Sequence, residues 1–280
     1  MLHQFVEFLE GTFVQQQLNS FARGKLALAM LPFATLRAAT FLGGCVTASD
    51  FLKPIHDLKD NIGTTMDIVA VAGRKGGIGK STIAGNLAGE FAAMGRSVVV
   101  LDADPQHSLA AWAAQGHGML SKCVRKIEGG SAEALRAEAK KSEKVADLIV
   151  IDTPPGMPET SYQAALVADL MLLPCGPSPL DLYALKEALN LALKARAERR
   201  SKKPRVRFVP SRVLMNTNLG RNLSSSLEGI GKKVLPGIGQ RIVLAEAVSA
   251  GLTIQEFAPA SAAREEFQTL AKAVDKILRK

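Results

Sequence analysis

One stretch constrains this chain more than any other: Gly73-Arg74-Lys75-Gly76-Gly77-Ile78-Gly79-Lys80-Ser81-Thr82. It follows a short apolar run, 68–72, and opens an amphipathic one near 82–93. A glycine-rich turn between strand and helix that closes on Gly-Lys-Ser is the phosphate-cradling P-loop pattern. Its glycines let successive backbone N–H groups turn onto phosphate oxygens without a Cβ clash. The helix N-terminus behind it adds the positive end of a dipole. Gly76, Gly77, Ile78, Gly79, Lys80, Ser81 and Thr82 are therefore expected to hold a nucleotide. Lys80 should meet the β- and γ-phosphates, and Ser81 should ligate Mg²⁺.

The remainder of the chain agrees with that start. Apolar runs at 97–101, 148–151, 171–174 and 206–215 read as further buried strands. Amphipathic stretches near 132–144, 160–168, 180–200 and 262–278 alternate with them. Ser178-Pro179 supplies a cap and a first-turn proline for one of these helices. Strands alternating with helices imply right-handed crossovers. The expected fold is α/β: a P-loop NTPase, its mostly parallel twisted sheet covered by helices on both faces. No internal repeat or low-complexity tract interrupts it.

Residues 1–66 stand apart as an extension that reads as mainly helical, and 67–280 as the ATPase domain. The extension has an apolar run, 26–36, then Arg37, then a second run to Val46. A charge at the centre of a span costs roughly 2.5–3.5 kcal/mol on insertion scales, so membrane insertion is disfavoured. Leu42-Gly43-Gly44-Cys45 resembles a lipoprotein cleavage site, yet export would part the nucleotide motif from ATP. Translation from Met66, just before the first strand, is a further possibility. The three cysteines, Cys45, Cys123 and Cys175, form no Cys-x-x-Cys pair, which speaks against a disulfide framework or zinc ribbon and for a reducing compartment.

Two other strand ends carry carboxylates. Val98-Val99-Val100-Leu101-Asp102-Ala103-Asp104-Pro105-Gln106 spaces Asp102 and Asp104 at i, i+2, toward the edge of the sheet where α/β proteins bind ligands. Asp152 ends Asp147-Leu148-Ile149-Val150-Ile151 before Thr153-Pro154-Pro155-Gly156. Such groups hold Mg²⁺ waters or orient an attacking water.

With Lys75 at the head of the loop, Lys-Gly-Gly-Ile-Gly-Lys-Ser resembles the deviant P-loop of the ParA/MinD superfamily of ATPases. The resemblance covers 67–280. It implies an ATP-dependent homodimer in which Lys75 reaches the partner's phosphates. It also implies that Asp104 positions the hydrolytic water, that Asp102 supports the metal shell, and that Asp152 lies on the Mg²⁺ side. Leu173-Pro174-Cys175-Gly176-Pro177-Ser178-Pro179-Leu180-Asp181-Leu182, with Trp112 after Asp-Pro-Gln, is similar to small plasmid-type ParA proteins. Asn216 stands where that family reads the adenine edge, although an Asn at a strand end is equally a turn residue. His107 reads as a polar loop residue.

The formal charge of +9 resides entirely in 67–280, which carries 30 basic and 21 acidic side chains. Between Lys194 and Arg241 stand thirteen Lys or Arg against Glu198 and Glu228. Arg205, Arg207, Arg212, Arg221, Lys232, Lys233 and Arg241 are candidates for DNA phosphates, whose neutralisation gives salt-sensitive, sequence-tolerant binding. Lys194, Arg196, Arg199, Arg200, Lys202 and Lys203 read equally well as a solvated helix end. By resemblance the function is MgATP-driven DNA partition: a dimer on non-specific DNA, a ParB-like centromere-binding partner that stimulates hydrolysis, a cytoplasmic and nucleoid-associated location, and a plasmid or mobile element as cargo. The alternative is MinD-like positioning on a membrane through the amphipathic 265–280, though such a helix more often packs on its own domain. A metabolic synthetase of the same fold has less support. Serine-hydrolase and zincin motifs are absent.

Overall fold

The computed structural model describes residues 66–279. The expectations for the preceding extension, its helical character and membrane or export signals included, lie outside the described residues. Among the described residues six parallel strands form one sheet: β1 (Asp67–Val71), β2 (Val98–Asp102), β3 (Val124–Lys126), β4 (Leu148–Asp152), β5 (Leu170–Cys175) and β6 (Arg205–Pro210). Their order is β3-β2-β4-β1-β5-β6, with β1 and β4 at the centre.

Alternation along β1 explains the layering. Ile68 and Ala70 face one core and Val69 and Val71 the other, as expected for a strand buried on both sides. The first core is closed by α4 (Ala132–Ser142), α5 (Pro158–Val167), α6 (Pro179–Glu198) and α7 (Asn218–Glu228). The second is closed by α1 (Lys80–Ala93), α2 (Ser108–Ala114), α3 (Leu120–Cys123), α8 (Ile242–Ser249), α9 (Ile254–Phe257) and α10 (Ala262–Leu278). Ser178 caps α6 by accepting from the Leu180 N–H, with Pro179 in the first turn, as its sequence implies.

The structure differs from the sequence reading at three places. The run 206–215 is not one strand: β6 ends at Pro210, and Arg212, at φ 54°, turns the chain away. The three-residue β3 and the short helices α2, α3, α8 and α9 had no periodicity long enough to mark them, whereas α7, an amphipathic helix as long as α4, was missed behind the run read as one strand to 215. The apolar face of the last helix is spent on the core, with Phe267, Leu270 and Val274 fully buried. No helix among the described residues is long and apolar enough to cross a membrane.

Candidate functional site

The register of the central strands assembles the site. Val71 and Asp102 both pair with Asp152, so β1, β2 and β4 end at one level. The glycine-rich loop leaves β1 there and returns as α1 at Lys80. Gly77 (φ 72°) and Gly79 (φ 90°) take a left-handed conformation that side chains resist. Gly79 occupies the N-cap of α1 and has no side chain to close the N–H groups of the first turn, leaving them for an anion.

Lys80 is buried, and its ammonium donates to the Lys75 carbonyl at 3.2 Å under the loop. Burial lowers its pKa, while the charges of Asp152 and Asp104 work to raise it. Both oxygens of Asp152 are buried without a hydrogen-bond partner. Burial pushes that carboxyl up to about 7, with the neighbouring Ser81 hydroxyl and Lys80 opposing the rise. An acid left this uncompensated suits a cation as its partner. Asp102 differs: its oxygens accept from the N–H groups of Asp104 (3.2 Å) and Ala110 (2.9 Å), so it also braces the loop into α2. Its pKa is raised by burial, against those two hydrogen bonds. Asp104 is buried and accepts from the Gln106 N–H at 2.9 Å. Among the described residues no three His, Cys, Asp or Glu side chains cluster closely enough to hold a metal unaided. Ser81 and Asp152 nonetheless fit Mg²⁺, which commonly takes one or two protein ligands and fills its shell with phosphate oxygens and water.

The exposed half of the loop is held from α6. Lys75 Nζ pairs with Asp181 Oδ1 at 2.5 Å, and Arg74 Nη1 with Glu187 Oε2 at 2.5 Å. Across the loop the Gly156 N–H donates to the Arg74 carbonyl at 2.7 Å, joining the segment after β4. An open cavity of about 210 Å³ adjoins Lys75, Gly77, Asp181, Arg212, Leu214 and Gln240. Gln240 lines this cavity, whereas Asn216, expected at the adenine edge, stands exposed in the turn before α7. The side chains that sequence reasoning missed here are Asp181, Ser211 and Gln240. Asp181 and Ser211 lie more than a hundred residues from the loop they bond, and Gln240 lies as far from the loop residues whose cavity it lines, so no local pattern announces them.

The structure disperses the basic candidates. Arg212 donates to the Gly77 carbonyl in the loop itself. Arg205 reaches the Ile277 carbonyl of α10, Arg241 pairs with Glu266, and Arg221 is held by Asn218 in its own helix. Arg207 lies on β6 beside the backbone that carries Lys232 and Lys233, where the Phe208 N–H donates to the Lys233 carbonyl. Arg199 is structural, donating to the carbonyls of Ala165 and Ala168.

Residues 69–254 match the family model for the CobQ/CobB/MinD/ParA nucleotide-binding domain. The chain is 30% identical over 243 residues to the chromosome-partitioning ATPase Soj of Thermus thermophilus, covering 74% of this chain and 94% of that protein. It is 39% identical over 128 residues to the maintenance of carboxysome distribution protein A of Gloeobacter kilaueensis, which covers 45% of this chain and only 56% of that relative. Solved structures share the fold: the septum site-determining protein MinD of Pyrococcus horikoshii complexed with Mg-ADP (TM-score 0.61, 18% identity, 76% of this chain and 97% of that one) and a Cyanothece McdA–ATP complex (TM-score 0.62, 17% identity, 78% and 98%).

Proposed function

The chain belongs to the CobQ/CobB/MinD/ParA family of nucleotide-binding P-loop ATPases, and on that premise we propose that it is a DNA-based positioning ATPase. In this reading ATP brings two copies together, the dimer holds DNA without sequence preference, and hydrolysis stimulated by a ParB-like partner releases it. The observation that carries the proposal is the division of labour on one loop. Lys80 is buried at the strand ends, whereas Lys75 stands half-exposed on the rim, paired to nothing deeper than Asp181. A second lysine that a neighbouring copy can approach is what a shared nucleotide site requires.

Ser81 and Asp152 would hold Mg²⁺, with Asp102 behind them; the ion's part is to neutralise phosphate charge. Asp104 orients a water in line with the γ-phosphorus. The bond to the β–γ bridging oxygen breaks, ADP leaves, and the water's oxygen ends on inorganic phosphate. Lys80, buried beside Asp152 and Asp104, places its amino group to stabilise the phosphate oxygens.

For the DNA surface, Lys232 and Lys233 beside β6 are the strongest of the basic candidates, because Arg205, Arg212, Arg221 and Arg241 are engaged elsewhere and Arg207, next to these lysines, donates to the Val206 carbonyl. Cargo of the plasmid type accords with the Pro-Ser-Pro segment. Cargo that is a protein compartment is the second reading, favoured by the 39% identity to a carboxysome distribution protein. In either reading of this chain the proposed surface is DNA. The test is binding of the full chain to arbitrary duplexes and to anionic vesicles at two salt concentrations. Duplex binding that needs ATP and weakens steeply with salt is expected. ATP-dependent vesicle binding without duplex binding sinks the proposal in favour of a membrane surface.

A further inference from the structure

The end of β6 grips the phosphate loop at two consecutive carbonyls. The buried Ser211 hydroxyl donates to the Ile78 carbonyl at 2.8 Å, and Arg212 Nη1 donates to the Gly77 carbonyl at 2.6 Å. In a trans peptide the C=O and N–H of one unit point in opposite directions. Fixing the Gly77 carbonyl therefore fixes the Ile78 N–H, and fixing the Ile78 carbonyl fixes the Gly79 N–H. Both carbonyls are drawn toward β6, so both N–H groups are turned away from it. Neither N–H meets an acceptor among the described residues.

Two further features mark this contact as built. Arg212 sits at φ 54°, a conformation rarely adopted by a side-chain-bearing residue and one that places its guanidinium against the loop. A Cβ on Gly79 would lie 2.8 Å from Ser211 Oγ, so the serine can approach only because position 79 is bare. No carboxylate among the described residues pairs with Arg212 within salt-bridge distance, and the neutral Gly77 carbonyl is its hydrogen-bond partner.

We propose that Ser211 and Arg212 are positioning residues for nucleotide binding: a carbonyl clamp, contributed by β6, that aims the Ile78 and Gly79 N–H groups at phosphate oxygens. The clamp rests on the reading of this loop as the nucleotide site. It also moves Arg212 from the DNA surface to the loop. Its grip concerns phosphates shared by ATP and ADP, so it supports both ligands alike.

The test uses the full chain with fluorescent ATP and ADP analogues in equilibrium titrations, and the melting midpoint without nucleotide. Ser211→Ala and Arg212→Ala should each weaken both nucleotides by about tenfold, the scale of one directed hydrogen bond. Arg212→Lys, which keeps a charged donor, should recover most of that loss, and Arg279→Ala, at an exposed residue just past α10, should leave both affinities unchanged. In turnover, KM should rise with kcat little altered, the mark of lost uniform binding. Unchanged ATP and ADP affinity in both alanine variants overturns the clamp. So does an affinity loss that merely tracks a falling melting midpoint. So does an Arg212→Ala chain that loses DNA but keeps nucleotide, which restores Arg212 to the DNA surface. If the unaltered chain binds neither nucleotide, the nucleotide reading itself falls and takes the clamp with it.

Discussion

Burial decides what individual side chains of this protein can do. Asp152 keeps two oxygens unpartnered in the interior while Asp102, one strand away in register, spends both on backbone N–H groups. Two aspartates that look equivalent in sequence therefore differ in the lone pairs they have left for a cation. Burial acts the other way on the cysteines. Cys123 and Cys175 are enclosed, and desolvation pushes each thiol up to about 12. A raised thiol pKa keeps the unreactive protonated form until pH reaches that value. In a Cys45→Ser chain, neither should react with iodoacetamide at about pH 8 while folded, and both should react quickly in denaturant. Rapid modification of the folded chain, followed by mass spectrometry, would show that one of these pockets opens.

At the scale of elements, α6 matters most to the loop. Its first turn supplies Asp181 to Lys75, and its third turn supplies Glu187 to Arg74. The lysine that the proposed dimer needs is thus held within its own copy before ATP arrives. Lys75 is 43% exposed, so solvent screens the pair and its worth is about 0.2–1 kcal/mol. Asp181→Asn should remove that hold and let the ATP-dependent dimer form at about two- to fivefold lower protein concentration. Sedimentation of both chains with ATP checks this, and a weaker dimer would mean that Asp181 orients Lys75 rather than restrains it. Trp112 has a packing role at the same scale. Its indole N–H donates to the Leu252 carbonyl, and its ring lies so close to α1 that a Cβ on Gly85 would come within 2.4 Å of it. The tryptophan thereby fastens α2 and the segment before α9 to the phosphate-loop helix.

For the whole molecule, the proposed cycle turns on charge brought across a seam between two copies. Two sets of nucleotide phosphates repel unless cations stand between them. Asp104→Ala should still bind ATP, lose most hydrolysis and accumulate as a dimer. Lys75→Ala/Asp104→Ala should bind ATP and remain monomeric in light scattering. A double variant that dimerises as well as the single one removes the trans-lysine idea and leaves Lys75 as a surface residue of its own copy.

The sequence determined the parts of this protein that depend on short range. Five of the six strands, the long helices and the phosphate loop were legible because apolar periodicity and glycine spacing act within a dozen residues. Asp102, Asp104 and Asp152 were legible as strand-end carboxylates for the same reason. What escaped was either too short to have a period, as with β3, or was decided by contacts between distant segments. The run through 206–215 looks like one strand until Arg212 turns, and that turn answers to a loop 135 residues earlier in the chain. The tertiary structure alone sorted the basic residues into loop clamp, helix brace, ion pair and open surface. A positive charge is written in the sequence, but its partner is fixed by where the folded backbone sets a carbonyl or a carboxylate beside it.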